Sequence, residues 1–415
     1  MDRAQMNPDD TLQATLTNGL KVIARRAMTA AEYCGVFINA GSRDETEPRL
    51  FGTAHFIEHT IFKSTLNHPS SYVINRMEEI GGELNAYTTK EETAVYSIFP
   101  EGHLDRAVSL ITELITSAAF RADELDNERE VVLDEASSYR DNPSEAVYDD
   151  FDELFFKGNP MAHNILGTTR SIRNFTTQNC IDFRDRFYIA PNMVFFYMGP
   201  AIPDKVLEIV NREMSQIKTG DGNVPPRVAP SIVAPFDKII KTGSHQAHNL
   251  IGAPVCSRDS DQKYAFSLLA NILAGPGMNS LLNVALREKN GLVYTVEASP
   301  SFYSDCGQMT IYYGCDKKDS DRCRDLVYGE IERVAGKKLS ADDLSRFKRQ
   351  LAGQARVGLD NHEQEALTLG RRLLHGFAPT SPGDIQRHID PITADELAAC
   401  ASQLLPPFTS RLRME

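Results

Sequence analysis

The stretch "KTGDGNVPPRVAPSIVAPF", residues 218–236, constrains the architecture more than any other part of the chain. Its glycines and four prolines, with few periodic apolar positions, can neither continue a helix nor occupy a central strand, so it reads as an extended linker. It divides 415 residues into halves of similar length, 1–217 and 237–415.

Each half runs through the same kinds of element. In the first, "LQATLTNGLKVIARR" predicts two short strands joined at Asn18-Gly19, a strong hairpin signal. "EYCGVFINAGS" follows as a buried strand, then a helical pattern from Thr53 to Phe62, then "SYVINRMEEIGG" as a helix stopped by Gly81-Gly82. "LNAYTTKEETAVYSIFP" is β-rich with a turn at Lys90-Glu91-Glu92, and "HLDRAVSLITELIT" and "ADELDNEREVVLDEASSYRD" carry helical spacing. "NMVFFYMG" closes the half as a buried strand. The second half offers the strand "HNLIGAPV", the glycine-ended helices "QKYAFSLLANILAG" and "SLLNVALREKNG", paired strands in "YTVEASPSFYSDCGQMTIYYG", and the helix "DRCRDLVYGEIERVAG".

Strands mixed with helices, without strict βαβ alternation, predict an α+β fold of two related lobes. A hydrophobic content of 41% with 24% charged residues leaves enough apolar mass for two or more cores. The net charge of −13 argues against a nucleic-acid binder. Seven scattered cysteines with no CxxC pair suit reduced thiols. "MDRAQMNPDDTLQATL" lacks the apolar core of a signal peptide and the Arg-rich character of a transit segment, and no run nears the roughly 18 apolar residues of a membrane span. The expected compartment is therefore cytoplasmic.

Chemistry concentrates in "TAHFIEHTIFKST", residues 53–65. His55, Glu58 and His59 stand at i, i+3 and i+4, one face of a helix, so both imidazoles and the carboxylate point into one volume. Two histidines one turn apart can chelate an ion at about 2.0–2.1 Å, and an adjacent carboxylate can take a proton from water that the metal acidifies. A solvated flank bearing two histidines is the bland alternative, but Phe56, Ile57, Ile61 and Phe62 predict a mostly buried helix, where ionisable groups need partners or a metal. A catalytic zinc wants a third protein ligand. "NEREVVLDEASSYRD" offers Glu128, Glu130, Asp134 and Glu135; Glu128 and Glu135 lie two turns apart on one face, so one can ligate while the other orients a ligand from behind. His163, in "NPMAHNILG", and His245 and His248, in "GSHQAHNL", read as structural.

These residues resemble the pitrilysin/insulysin family of inverzincin metallopeptidases, whose zinc motif runs H-x-x-E-H and whose third ligand is a glutamate 76 residues beyond the second histidine. Here that position is Glu135. The resemblance extends through "GSRDETEPRLFGTAHFIEH", "FKST", "LNAYTTKEETAVY", "RFYIAPNMVFFYMG" and, in the second half, "REKNGLVY" with Arg287 and Tyr294. It departs at "AGPGMNSLLN", which lacks the usual paired glycine and double serine, and at "IEHTIF"; neither removes a chemical group. It is closest to the short two-lobed members, similar to the processing-peptidase β subunit and bacterial homologues.

The resemblance implies a zinc endopeptidase of extended peptides, with one Zn2+ per chain on His55, His59 and Glu135, Glu58 as general base, and Glu128 supporting from behind. It implies that Arg287 and Tyr294 act on the scissile carbonyl. It also implies peptide pairing along the strand that holds Asn85, Ala86 and Tyr87. Each lobe would be a mainly antiparallel sheet with helices on one face: a catalytic lobe over 1–217, the linker over 218–236 and a second lobe over 237–415. The chain would form half of a clamshell, enclosing a chamber as a homodimer. Some members have lost the zinc residues and serve as substrate-holding or scaffold subunits, which is the competing function.

Overall fold

Thr11–Thr15 and Lys21–Arg26 pair antiparallel across the Asn18-Gly19 turn, where Gly19 adopts φ +92°, a conformation few other residues take. Asn18 fixes this hairpin by donating its amide to the carbonyls of Met214 and Ile217, at 2.9 and 3.2 Å. The computed structural model describes residues 5–7, 10–220, 224–231, 234–337, 339–379 and 383–415. Of the linker, residues 221–223, 232 and 233 lie outside the described residues; the described remainder of 218–236 is neither helix nor strand.

The chain forms two compact units, each built from three segments. The first takes Met1–Ala136, His163–Arg227 and Leu359–Thr380; the second takes Ser137–Ala162, Val228–Gly358 and Ser381–Glu415.

The first unit holds a seven-stranded sheet. In chain order its strands are β1 (Gln5–Asn7), β2 (Thr11–Thr15), β3 (Lys21–Arg26), β4 (Ala31–Ile38), β5 (Glu83–Thr88), β6 (Thr93–Pro100) and β7 (Met193–Gly199). Across the sheet they run β1-β2-β3-β7-β4-β6-β5, antiparallel except for β3 and β7. The second unit holds five strands: β8 (Asp237–Ile240), β9 (Gln246–Val255), β10 (Val293–Phe302), β11 (Gly307–Asp316) and β12 (Ser410–Met414). They run β10-β11-β9-β12-β8, antiparallel except for β8 and β12. Reading β8 to β12 onto β3 to β7 reproduces the spatial order and the single parallel pair, so the two sheets share one topology. The expected α+β class of two related sheets with helices holds.

On one face of the first sheet, Val22, Val36, Ile38, Val95, Phe195 and Tyr197 pack under helices Thr53–Thr60, Leu104–Ser117 and Pro203–Met214. The corresponding face of the second sheet, with Ile251, Met309, Ile311 and Tyr313, lies under Gln262–Ala274, Ser320–Lys337 and Ala394–Ser402. Beyond this expected layer, each sheet carries a helix on its other face. His362–Leu374 covers Phe37, Ala94, Val194 and Phe196, and Pro143–Phe155 covers Leu250, Tyr312, Leu412 and Met414. Central strands therefore meet apolar side chains on both sides, which is why "NMVFFYMG" is an unbroken apolar run rather than an alternating one. Among the described residues no helix is long and apolar enough to cross a membrane.

Candidate metal centre

Ala54, Phe56, Ile57 and Ile61 are almost wholly buried, and each large side chain contributes about 1.5–3 kcal/mol by leaving water. That burial sets the rotation of helix Thr53–Thr60 and turns His55, Glu58 and His59 to the remaining side. The helix starts at Gly52, whose φ of +92° and whose missing Cβ, which would stand 2.5 Å from the Leu166 carbonyl oxygen, exclude a side chain. Two of the helix's first amides, those of Gly52 and Ala54, donate to the buried Glu45 carboxylate at 2.6 and 2.7 Å. This meets donors that a helix start leaves unpaired. Burial pushes the Glu45 carboxyl well up, while those two amides pull it down. His163 completes the support: its Nε2 lies 2.9 Å from Glu45 and its ring stacks on Phe51. His163 thus braces the helix start.

Helix Ala122–Arg140 brings the acidic residues. Leu125, Glu128 and Val132 form its buried stripe, and Glu135 continues it at the next turn. Glu135 Oε2 lies 3.3 Å from His59 Nε2 and 3.8 Å from His55 Nε2. One donor atom from each of the three residues falls within a set spanning no more than 4.8 Å. Tetrahedral bonds of 2.0–2.1 Å place ligand atoms about 3.3 Å apart, so the two nitrogens and the oxygen fit a zinc ion with little adjustment. Two imidazoles and one carboxylate are also the donor set of a zinc site that keeps a fourth position open. Among the described residues no other group of three such side chains forms a comparable set.

Glu128 Oε1 accepts a hydrogen bond from His59 Nδ1 at 3.0 Å, which leaves the lone pair on Nε2, the nitrogen facing Glu135. Lys63 pairs with the other Glu128 oxygen at 2.7 Å. Lys63 and Glu45 were not among the expected site residues: Lys63 stands beyond the helix end at Thr60, and Glu45 meets its partners by loop packing. Burial, and then the neighbouring His59, push His55 down to about 3, so its imidazole is neutral at ordinary pH and available as a donor. Burial likewise holds the Glu58 carboxyl above the usual range, with Thr88 beside it pulling the other way. Glu58 Oε2 and His55 Nδ1 are buried without a hydrogen-bond partner among the described residues, a combination that calls for a polar guest.

The remaining expected site residues fall elsewhere. Asn85, Ala86 and Tyr87 lie on β5, the sheet's edge strand. Ala86 packs with the core on the side of the metal-facing helix, whereas the Tyr87 ring packs on the opposite face with Phe37 and Tyr96. Arg287 and Tyr294 belong to the second unit. Arg287 is exposed on a π-helical turn, Asn283–Glu288, and Tyr294, 84% exposed, sits where β10 slips register between Val293 and Val296. His248 donates to or accepts from the Tyr312 hydroxyl at 2.9 Å, a pairing between neighbouring strands.

Comparison with known proteins agrees with this geometry. Residues 21–169 match the family model described as insulinase (peptidase family M16), and residues 174–351 match the peptidase M16 inactive domain. An uncharacterized zinc protease of Mycobacterium tuberculosis is 30% identical over 399 residues, 95% of this chain and 90% of that protein. One of Streptomyces coelicolor is 28% identical over 95% of this chain and 87% of its own length. A Helicobacter pylori protease of known crystal structure superposes with a TM-score of 0.89 at 21% identity, covering 97% of this chain and 98% of its own. A Pseudomonas fluorescens structure described as a peptidase M16 inactive domain gives 0.89 at 19% identity, over 97% of each chain.

Proposed function

The chain belongs to peptidase family M16, the insulinase family, and from that premise we propose that it is a zinc-dependent endopeptidase acting on extended, unfolded peptides. The observation that carries this reading is the meeting of His55, His59 and Glu135 donor atoms within 4.8 Å, beside a buried Glu58 oxygen with no partner among the described residues. Bound zinc supplies Lewis acidity, which brings the pKa of water toward 7 and polarises a peptide carbonyl. Glu58 takes the proton from the attacking water and returns it to the leaving amine. Glu128 keeps the His59 proton on Nδ1, and Lys63 balances the Glu128 charge.

Substrate binds by adding to the β5 edge, where Asn85, Ala86 and Tyr87 offer main-chain groups. The contrast between the two equivalent edges supports this choice. β5 carries no proline, lysine or register slip, the usual guards of an open edge, whereas β10 carries both a register slip and Pro300. Arg287 and Tyr294 supply donors to the developing oxyanion. The π-helical turn and the strand irregularity that hold them are backbone features found often at functional sites. The active form is a homodimer that encloses the peptide. A scaffold role is disfavoured because His55, Glu58, His59 and Glu135 are all present.

Cleavage of a quenched peptide library, with and without chelator, tests the activity. Glu58→Gln should retain zinc and lose about 10²–10⁴-fold in turnover. Undiminished hydrolysis in that variant would remove Glu58 from its role.

A further inference from the structure

Between β5 and β6 the chain turns through Lys90, Glu91 and Glu92, three charged residues that are 4–6% exposed. Each is held by a different segment of the first unit. Lys90 Nζ donates to the His163 carbonyl at 2.7 Å, Glu91 pairs with Arg43 at 2.5 Å, and Glu92 is gripped by helix His362–Leu374 and the residue that follows it. There Arg371 Nε reaches Glu92 Oε1 at 2.5 Å and His375 Nε2 reaches Glu92 Oε2 at 2.9 Å. The same guanidinium donates a second hydrogen bond, also 2.5 Å, to the hydroxyl of Tyr87 on β5. Arg371 therefore touches the hairpin twice, once at its turn and once on its outer strand.

An outer strand is paired on one side only and readily frays, and a frayed edge presents no fixed ladder to a peptide. The contact at Tyr87 comes from the face opposite the metal-facing helix, so it steadies the strand without occupying the metal-facing side. We propose that Arg371 is a positioning residue for peptide binding: through Tyr87 and Glu92 it holds the edge strand Glu83–Thr88 in the geometry an added strand requires. This rests on the reading of β5 as the peptide-binding edge. Arg25 provides the comparison, since through Glu365 at 3.1 Å it ties the same helix to β3, which β7 and β4 separate from the strands β6 and β5 of the hairpin.

The test is steady-state kinetics of the full-length, zinc-loaded protein on an extended quenched peptide. Arg371→Leu should raise KM about tenfold, with kcat within about twofold and zinc content unchanged. Arg371→Lys should recover part of the loss, because one ammonium can serve Glu92 or Tyr87 but lacks the fork that serves both. Arg25→Gln should leave KM as it was. The inference is overturned if Arg371→Leu leaves KM unchanged, or if Arg25→Gln raises it equally, which would make the effect one of general helix docking. Should Arg371→Leu not fold, Glu92→Gln carries the same test, with a raised KM expected and an unchanged one overturning it. Peptides N-methylated at alternate amides, assayed on the parent protein, separate the two readings. Indifference to methylation sinks strand addition itself, whereas sensitivity to methylation with an unchanged KM in Arg371→Leu sinks only the positioning role.

Discussion

At the scale of single residues, the candidate ligand His59 depends on partners outside the set of His55, His59 and Glu135. Glu128 bonds His59 Nδ1 and is itself held by Lys63, so Glu128→Gln should weaken zinc binding by about 10–100-fold in a chelator competition while the fold persists. Gly52 is a second such point. With φ at +92° and the Leu166 carbonyl oxygen 2.5 Å from where a Cβ would be, Gly52→Ala should cost at least about 1–2 kcal/mol. That loss should be visible as a lowered melting temperature, and the displaced helix start should reduce zinc content in the same sample. The spacing of His55, Glu58 and His59 was legible because a helix converts i, i+3 and i+4 into one face, and the seven-residue step from Glu128 to Glu135 was legible for the same reason. Glu45 was not legible. Its carboxylate meets the Gly52 and Ala54 amides by the folding of a loop, and no local periodicity records that meeting.

At the scale of elements, each sheet is pressed on its second face by a helix at a point where only glycine fits. A Cβ on Gly370 would lie 2.7 Å from Phe196 and 2.8 Å from Phe37, and one on Gly252 would lie 2.4 Å from Phe151. Gly370→Val and Gly252→Ala should each destabilise by about 1–3 kcal/mol, the usual cost of overfilling a packed layer, and calorimetry should show it. The Glu92 contact adds a pH dependence. Burial alone would raise this carboxyl, but the hydrogen bond from His375 and the Arg371 charge outweigh it and hold Glu92 below its ordinary 4.5. A carboxylate depressed by folding adds stability above its unfolded value, and that stability is lost as pH falls through the folded one. The stability difference between the parent and Glu92→Gln, from denaturant melts, should therefore be complete at neutral pH and shrink as the pH drops below 4.5. Strands such as Ala31–Ile38 and Met193–Gly199 and helices such as Leu104–Ser117 were readable from period and punctuation, as was the Asn18-Gly19 hairpin, whereas Pro143–Phe155, Pro203–Met214 and the elements beyond residue 337 were not read. Helix His362–Leu374 was among those not read, and its apolar spacing alone would not have named the sheet it covers, because such a pattern states that a face is buried and says nothing of what buries it.

At the scale of the whole molecule, the proposed metal joins two helices whose own packing does not need it: Phe56 anchors one, Leu125 and Val132 the other. Chelation should thus abolish peptidase activity yet leave far-UV circular dichroism intact, and zinc at a hundred times its Kd should add about 2.7 kcal/mol of stability. Light scattering should report twice the chain mass if the homodimer reading holds. The shared topology of the two sheets was foreshadowed by the order of element types in each half, since repeated architecture repeats its punctuation even where residues differ. The exchanged helices carry a consequence for biosynthesis. The first sheet is finished only by a helix ending at Leu374, so the nascent polypeptide must leave the ribosome past residue 374 before that sheet can be clad on both sides. Until then the part that carries His55, His59 and Glu135 waits with an oily flank bare, and a message truncated at the proline-rich crossing would yield a product for chaperones and degradation.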